Sequence, residues 1–158
     1  MSTRLLDVNV LISLLDSAHV HHSAAIGWFR TTAATQGWAT CPVTENGFIR
    51  VVSHVSYPNL RLTPALAAES LARFKAGFPG VHQFWADEVS LTDTAVFDLS
   101  LLTGSRQTTD AYLAGLAFHK EGRLATLDRS IPWSCVRGAK SDLVEKIAPN
   151  DRIRIPSL

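Results

Sequence analysis

The stretch Leu5-Leu6-Asp7-Val8-Asn9-Val10-Leu11-Ile12 decides the fold, because an aspartate interrupts an apolar segment near the start of the chain. Its two adjacent leucines predict a strand over residues 3–7 that is buried on both faces. The apolar residues that follow Asp7 predict a short helix over residues 9–15. A buried strand that leads directly into a helix is typical of a parallel α/β sheet, and such sheets bind ligands outside the carboxyl ends of their strands.

The rest of the chain continues this alternation of strands and helices. Further strands are predicted at residues 38–42, 123–127 and 152–155, with another in either 82–85 or 89–91. Helices are predicted over residues 23–35, 45–54 with Thr44 as N-cap, from Thr63-Pro64 onward, from Thr92 to Leu101, 110–121 with Thr109 as N-cap, and 140–147. The sequence therefore predicts one α/β domain over residues 1–158, with a central parallel sheet flanked by helices in three layers.

Four acidic residues lie at the edges of these apolar segments: Asp7, Glu45, Asp110 and Asp128. In the predicted fold all four face the carboxyl edge of the sheet. Carboxylates that lie close together repel each other unless a cation joins them. Hard oxygen ligands favour Mg²⁺ or Mn²⁺, and a metal ion held in this way can hydrolyse phosphodiesters. Each acid taken alone could equally be a helix N-terminal or turn residue, but capping does not easily explain four of them at one edge.

Composition narrows the classes of protein that fit. Hydrophobic residues make up 46% of the 158 residues and charged residues 18%, which is ordinary for a globular protein and argues against a disordered or fibrous chain. The net charge of +1 predicts no broadly basic surface, so nucleic-acid binding would depend on local cations. Arg106 and Arg129 are the candidates, because they flank Asp110 and Asp128. No apolar run or signal peptide indicates a membrane or export, which favours a cytoplasmic protein.

Several other chemistries are disfavoured. The histidines at 19, 21 and 22 have no cysteine or carboxylate partner evident in the sequence, so a zinc site is not expected. No P-loop or G-x-G-x-x-G follows a predicted strand. A phosphatase of the haloacid dehalogenase type needs a second acid two residues after its first aspartate, and Asn9 occupies that position. For Trp28, Trp85 and Tyr112, core packing or a dimer interface is the preferred interpretation over base stacking.

Four segments resemble, in order, the acidic motifs of PIN-domain ribonucleases, and in particular those of the VapC toxins. They are Leu5 to Ile12 as quoted above, Thr44-Glu45-Asn46-Gly47-Phe48-Ile49-Arg50-Val51, Thr109-Asp110-Ala111-Tyr112-Leu113 and Leu124-Ala125-Thr126-Leu127-Asp128-Arg129. The resemblance covers the chain to about residue 129. It implies a PIN fold, a homodimer, Mg²⁺ or Mn²⁺ as cofactor, RNA cleavage by metal-activated water, and a VapB-type antitoxin that blocks the site.

The resemblance also implies roles for individual residues. Asp7 and Asp110 match the first and third family acids and are the firmest metal ligands. Asp128 matches the fourth acid and is a further ligand, while Glu45 matches the second and completes the catalytic set. Asn9 and Thr126 are expected to orient a carboxylate or a water molecule. The alternative is a PIN fold that binds RNA or a protein partner but does not cleave.

Overall fold

A five-stranded sheet forms the centre of the computed structural model, which describes residues 2–149. The strands are β1 (Arg4–Leu6), β2 (Trp38–Thr40), β3 (His82–Phe84), β4 (Arg123–Thr126) and β5 (Val144–Lys146). Their order is β3-β2-β1-β4-β5, and every neighbouring pair is parallel. The carboxyl ends of all five strands therefore lie along one edge of the sheet.

In the described part of the chain, six α-helices connect and cover these strands. They are α1 (Val8–Leu15), α2 (His22–Trp28), α3 (Ala34–Gln36), α4 (Pro42–Val52), α5 (Pro64–Ala76) and α6 (Thr108–His119). A π-helical turn, Phe29–Ala33, joins α2 to α3 without a break. No helix within residues 2–149 is both long enough and apolar enough to cross a lipid bilayer.

Hydrophobic cores on both faces of the sheet give the fold three layers. Leu5 and Leu124 are fully buried in a core that includes the apolar residues of α6. Leu6 and Ala125, the next residue along each strand, are fully buried in a second core with α1, α2, α4 and α5. Successive strand residues point to opposite faces, so a run of apolar residues is what a strand covered on both sides requires. The predicted three-layer α/β architecture is confirmed.

Local capping explains where the helices begin, and it corrects two predicted N-caps. Thr63 caps α5 as expected, accepting a hydrogen bond from the backbone N–H of Leu66 at 3.2 Å. Helix α4 begins three residues earlier than predicted, with Cys41 at its N-cap, and the Thr44 hydroxyl instead accepts from the Cys41 N–H at 3.0 Å. Gln107 is the N-cap of α6, so Thr109 lies inside the helix.

Two predicted helices are wrong. The segment from Thr92 to Leu101 forms turns and a single 3₁₀ turn at Leu99–Leu101. The segment 140–147 contains a 3₁₀ turn at Ser141–Leu143 and then β5, which pairs with the open side of β4. Contacts with distant residues explain why residues 144–146 form a strand and not a helix. In this strand Glu145 accepts a 2.8 Å hydrogen bond from the buried Arg4 side chain of β1.

Of two further strand predictions, the structure resolves one and does not test the other. The strand between β2 and α6 is His82–Phe84, and residues 89–91 form no strand. The strand predicted at 152–155 lies outside the described residues.

Candidate active site

The four predicted acids all follow the carboxyl ends of strands or begin helices at that edge. Asp7 comes directly after β1, and Asp128 lies two residues beyond the end of β4. Glu45 is in the first turn of α4, which follows β2, and Asp110 is in the first turn of α6. A parallel sheet places such positions on one side of the molecule.

Asp7 is almost fully buried, with 7% of its surface exposed. Its Oδ1 accepts a 2.7 Å hydrogen bond from the Val8 N–H as the N-cap of α1, and its Oδ2 accepts a 2.7 Å bond from the Thr126 hydroxyl. Burial raises the pKa of Asp7, the bonds from Thr126 and Val8 lower it, and the charge of Asp128 raises it again. The net effect is a raised pKa, so this carboxylate is held in place while its charged form is disfavoured.

Thr126 links Asp7 to the end of β4. Its buried hydroxyl donates to Asp7 and accepts from the Asp128 N–H at 3.0 Å and from the Asn9 amide at 3.3 Å. The Asn9 side-chain oxygen in turn accepts from the Leu127 N–H at 3.1 Å. The expectation that Asn9 and Thr126 orient site groups is consistent with this network, which joins the first turn of α1 to the segment that carries Asp128.

Asp110 is the most perturbed carboxyl of the group. Burial raises its pKa, and the negative charges of Asp7 and Asp128 raise it further, to about 6. Three of the four predicted acids therefore lie close enough for their charges to act on one another. Asp128 is held by Ser130, whose backbone N–H and hydroxyl donate to Oδ1 at 2.9 and 3.1 Å.

Glu45 has different partners from the three aspartates. Its Oε1 accepts hydrogen bonds of 2.6 Å from both the Lys75 ammonium and the Thr40 hydroxyl. His82 Nε2 lies 2.9 Å from the same hydroxyl. No local signal singles out Lys75, because a cation in the last turn of a helix ordinarily interacts favourably with the helix dipole.

The two predicted substrate-binding arginines are exposed and flank the aspartates. Arg106 lies in the 3₁₀ turn directly before α6, and Arg129 follows Asp128. Within residues 2–149 neither guanidinium group forms an ion pair.

The other candidates have structural contacts instead. His19 and His22 hydrogen-bond to Ser13. Trp28 donates its indole N–H to Glu145, and the Tyr112 hydroxyl donates to Asp87. These contacts explain the residues without a zinc ion or a stacked base.

The donor set fits a hard divalent cation. Carboxylate oxygens are the preferred ligands of Mg²⁺ and Mn²⁺, and the mutual repulsion of Asp7, Asp110 and Asp128 would be relieved by a positive ion. In the described part of the chain, no three His, Cys, Asp or Glu side chains are gathered tightly enough to hold a metal ion together. Mg²⁺ does not require such a group, since it is usually held by one or two carboxylates and keeps several waters.

A parallel sheet covered by helices on both faces, with three aspartates at its carboxyl edge whose charges act on one another, defines the class of protein. The class is a PIN-like α/β domain.

No family model matches the sequence. Three curated relatives from Mycobacterium tuberculosis strain H37Rv do match it. Ribonuclease VapC44 is 46% identical over 135 residues, covering 85% of this chain and 92% of the relative. Ribonuclease VapC39 is 42% identical over 136 residues (86% and 96%), and ribonuclease VapC38 is 43% identical over 127 residues (80% and 86%). The chain therefore belongs to the VapC family of PIN-domain toxins.

Proposed function

We propose that this protein is a divalent-metal-dependent endoribonuclease and the toxin of a type II toxin–antitoxin pair. The observation that carries the proposal is the grouping of Asp7, Asp110 and Asp128, where burial and then the charges of Asp7 and Asp128 raise the pKa of Asp110 to about 6. Perturbed carboxyl groups gathered at a ligand-binding edge are typical of functional sites. Relatives that are named ribonucleases and share 42–46% of their aligned residues support RNA as the substrate.

The three aspartates are the proposed ligands of one or more Mg²⁺ or Mn²⁺ ions, with one or two of them bound directly and the rest through water. A bound ion would supply an activated water molecule and would offset the charge that develops on the phosphoryl oxygens. Thr126 and Val8 hold both oxygens of Asp7 by hydrogen bonds, so this carboxylate needs little reorganisation to act as a ligand.

The remaining acid and the two arginines have proposed roles in the reaction itself. Glu45 orients the attacking water and accepts its proton. Arg106 and Arg129 hold the RNA phosphates beside the carboxylates, which would otherwise repel them. The family resemblance implies products that carry a 5′-phosphate and a 3′-hydroxyl.

The proposed partners follow from membership of the VapC family. We expect a VapB-type antitoxin that blocks the acidic edge, a homodimer in solution, and action in the cytoplasm, where the RNA substrate is found. Light scattering of the purified chain tests the dimer. Co-purification with the product of the adjacent small reading frame tests the antitoxin.

Cleavage of total RNA by the purified, antitoxin-free chain tests the enzymatic proposal. Cleavage should need Mg²⁺ or Mn²⁺, stop on chelation, and fall at least 100-fold in Asp110→Asn, as is usual when a group that stabilises the transition state is removed. Asp142→Asn is the matched control, because Asp142 is exposed and lies near the amino end of β4. If the folded wild-type protein binds RNA but does not cleave it in the presence of any divalent ion, the catalytically silent alternative is correct.

A further inference from the structure

Lys75 makes the shortest contact between a cation and any of the four candidate acids. Its ammonium lies 2.6 Å from Glu45 Oε1, and about a quarter of each side chain is exposed. The same ammonium lies 5.6 Å from the centre of the Phe84 ring at the end of β3. Lys75 belongs to α5, whereas Glu45 belongs to α4, so the pair fixes one helix relative to the other at the edge of the site.

The Glu45 oxygen that Lys75 contacts is also held from the sheet. Thr40, the fully buried last residue of β2, donates its hydroxyl to the same Oε1. A hydroxyl that donates to Glu45 can still accept a hydrogen bond, and His82 Nε2 at 2.9 Å donates one when that nitrogen carries a proton. Within residues 2–149 no group donates a hydrogen bond to Glu45 Oε2. Oε1 of Glu45 is therefore held by two hydrogen bonds, whereas Oε2 can interact with a water molecule.

We infer that Lys75 is a positioning residue for Glu45, an inference that depends on the proposed nuclease function. A glutamate side chain has several freely rotating bonds, and ordering them costs entropy. Two short bonds to Oε1, from Lys75 and Thr40, restrict those rotations before RNA binds. Lys75 thus presents Oε2 of Glu45 to the attacking water without touching the substrate itself.

This role predicts a particular kinetic pattern. If Lys75 bound an RNA phosphate, its removal would raise KM and would make RNA binding less dependent on salt. A lysine that positions Glu45 changes only how well that carboxylate is oriented during the reaction, so its loss lowers kcat and leaves KM unchanged.

Lys75→Met is the most informative variant, because it keeps an unbranched apolar side chain near Phe84 and removes the charge. We expect kcat to fall about 10- to 100-fold, as loss of a charge-assisted hydrogen bond allows, with KM for RNA and the Mn²⁺ dissociation constant within about twofold of wild type. Lys75→Arg should recover most of the activity. Lys140→Met is the control, because Lys140 is exposed and lies near the amino end of the sheet.

A double-mutant cycle tests whether Lys75 acts through Glu45. The double variant Lys75→Met with Glu45→Gln should be no slower than Glu45→Gln alone, because Lys75 has no carboxylate left to position. An additive loss would overturn the inference, as would a raised KM with an unchanged kcat, or a faster Lys75→Met enzyme. If Lys75→Met does not fold, Lys75→Gln serves in the same cycle.

A readout without metal or substrate separates this inference from the proposed function. In protein labelled with ¹³C at the glutamate carboxyls, the Glu45 signal, assigned with Glu45→Gln, should move toward those of exposed glutamates in Lys75→Met. An unmoved signal contradicts the positioning role even if the wild-type protein cleaves RNA. A moved signal in a protein whose Asp110→Asn variant keeps full activity shows that the proposed site has failed while the contact with Lys75 holds.

Discussion

The hydroxyl of Thr126 donates a 2.7 Å hydrogen bond to Asp7 Oδ2, across 119 residues of sequence. Thr40 makes the equivalent contact with Glu45 at 2.6 Å. Both threonines are the last residues of their strands, and both are fully buried. The sheet therefore ends in hydroxyl groups that hold two of the four candidate acids, and the strand ends set the geometry of the site.

Removing the Thr126 hydroxyl should weaken both the fold and metal binding. In Thr126→Val, Asp7 loses a donor and the Asp128 N–H loses its acceptor, which should cost about 1–3 kcal/mol in the free energy of unfolding. The pKa of Asp7 should rise further, because the Thr126 bond lowers it in the native protein. Urea unfolding and Mn²⁺ titration near neutral pH measure the two effects. Thr126→Ser keeps the hydroxyl and is the control, so equal losses in both variants would contradict the argument.

The stability of the metal-free protein should depend on the protonation of Asp110. Its pKa is about 6 in the folded state against an ordinary value of 3.8, so the folded state binds this proton more tightly than the unfolded state does. The contribution of Asp110 to the free energy of unfolding is therefore most favourable below about pH 4, and it is lost as the pH rises through 6. Because Asp110 is only half-buried, solvent screening limits the effect to about 1 kcal/mol.

Asp110→Asn should remove most of that pH dependence and should be at least as stable as wild type at pH 7, since it relieves repulsion from Asp7 and Asp128. Thermal unfolding in the presence of a chelator, from pH 4 to 7, tests this. A variant that is less stable at every pH would mean that the Asp110 carboxylate mainly stabilises the start of α6.

Metal binding should release protons near pH 6. Divalent ions bind the deprotonated carboxylates, and the pKa values of Asp7 and Asp110 are both raised. The affinity for Mg²⁺ should therefore fall as the pH is lowered through about 6. Calorimetry in two buffers with different ionisation enthalpies measures the protons released, and Asp110→Asn should release fewer. An affinity that is the same at pH 5.5 and pH 7.5 would exclude Asp110 as a ligand.

The arginines that flank the site should affect substrate binding more than chemistry. Arg106→Ala and Arg129→Ala should each raise KM for RNA and reduce the dependence of binding on salt by about one phosphate contact, with kcat little changed. Arg123→Gln is the control, because Arg123 begins β4 at the opposite edge of the sheet. Equal effects at all three positions would indicate general attraction of RNA rather than binding beside the aspartates.

The central strands and the acidic motifs could be predicted because their signals are local. β1, β2 and β4 are short buried segments followed closely by polar residues, and three of the four acids lie immediately after or near such strands. Membership of the VapC family was evident for the same reason, since its motifs are contiguous stretches of sequence.

The features that escaped prediction depend on contacts between distant residues. β5 is only three residues long and carries no periodic pattern, so it becomes a strand only beside β4. The pairing of Lys75 with Glu45 joins residues 30 positions apart on different helices, and neither position has a local signal for it. The sequence could suggest which residues carry charge at the site, but not which of those charges are already neutralised.

The position of β1 in the middle of the sheet has a consequence for truncated chains. The first strand of this sequence, β1, is flanked by β2 on one side and by β4, with residues 123–126, on the other. A chain that ends before Thr126 has neither the hydroxyl that holds Asp7 nor the third aspartate of the cluster. Fragments that end before Thr126 therefore lack the complete acidic site, so the proposed activity requires a chain that extends at least to Asp128.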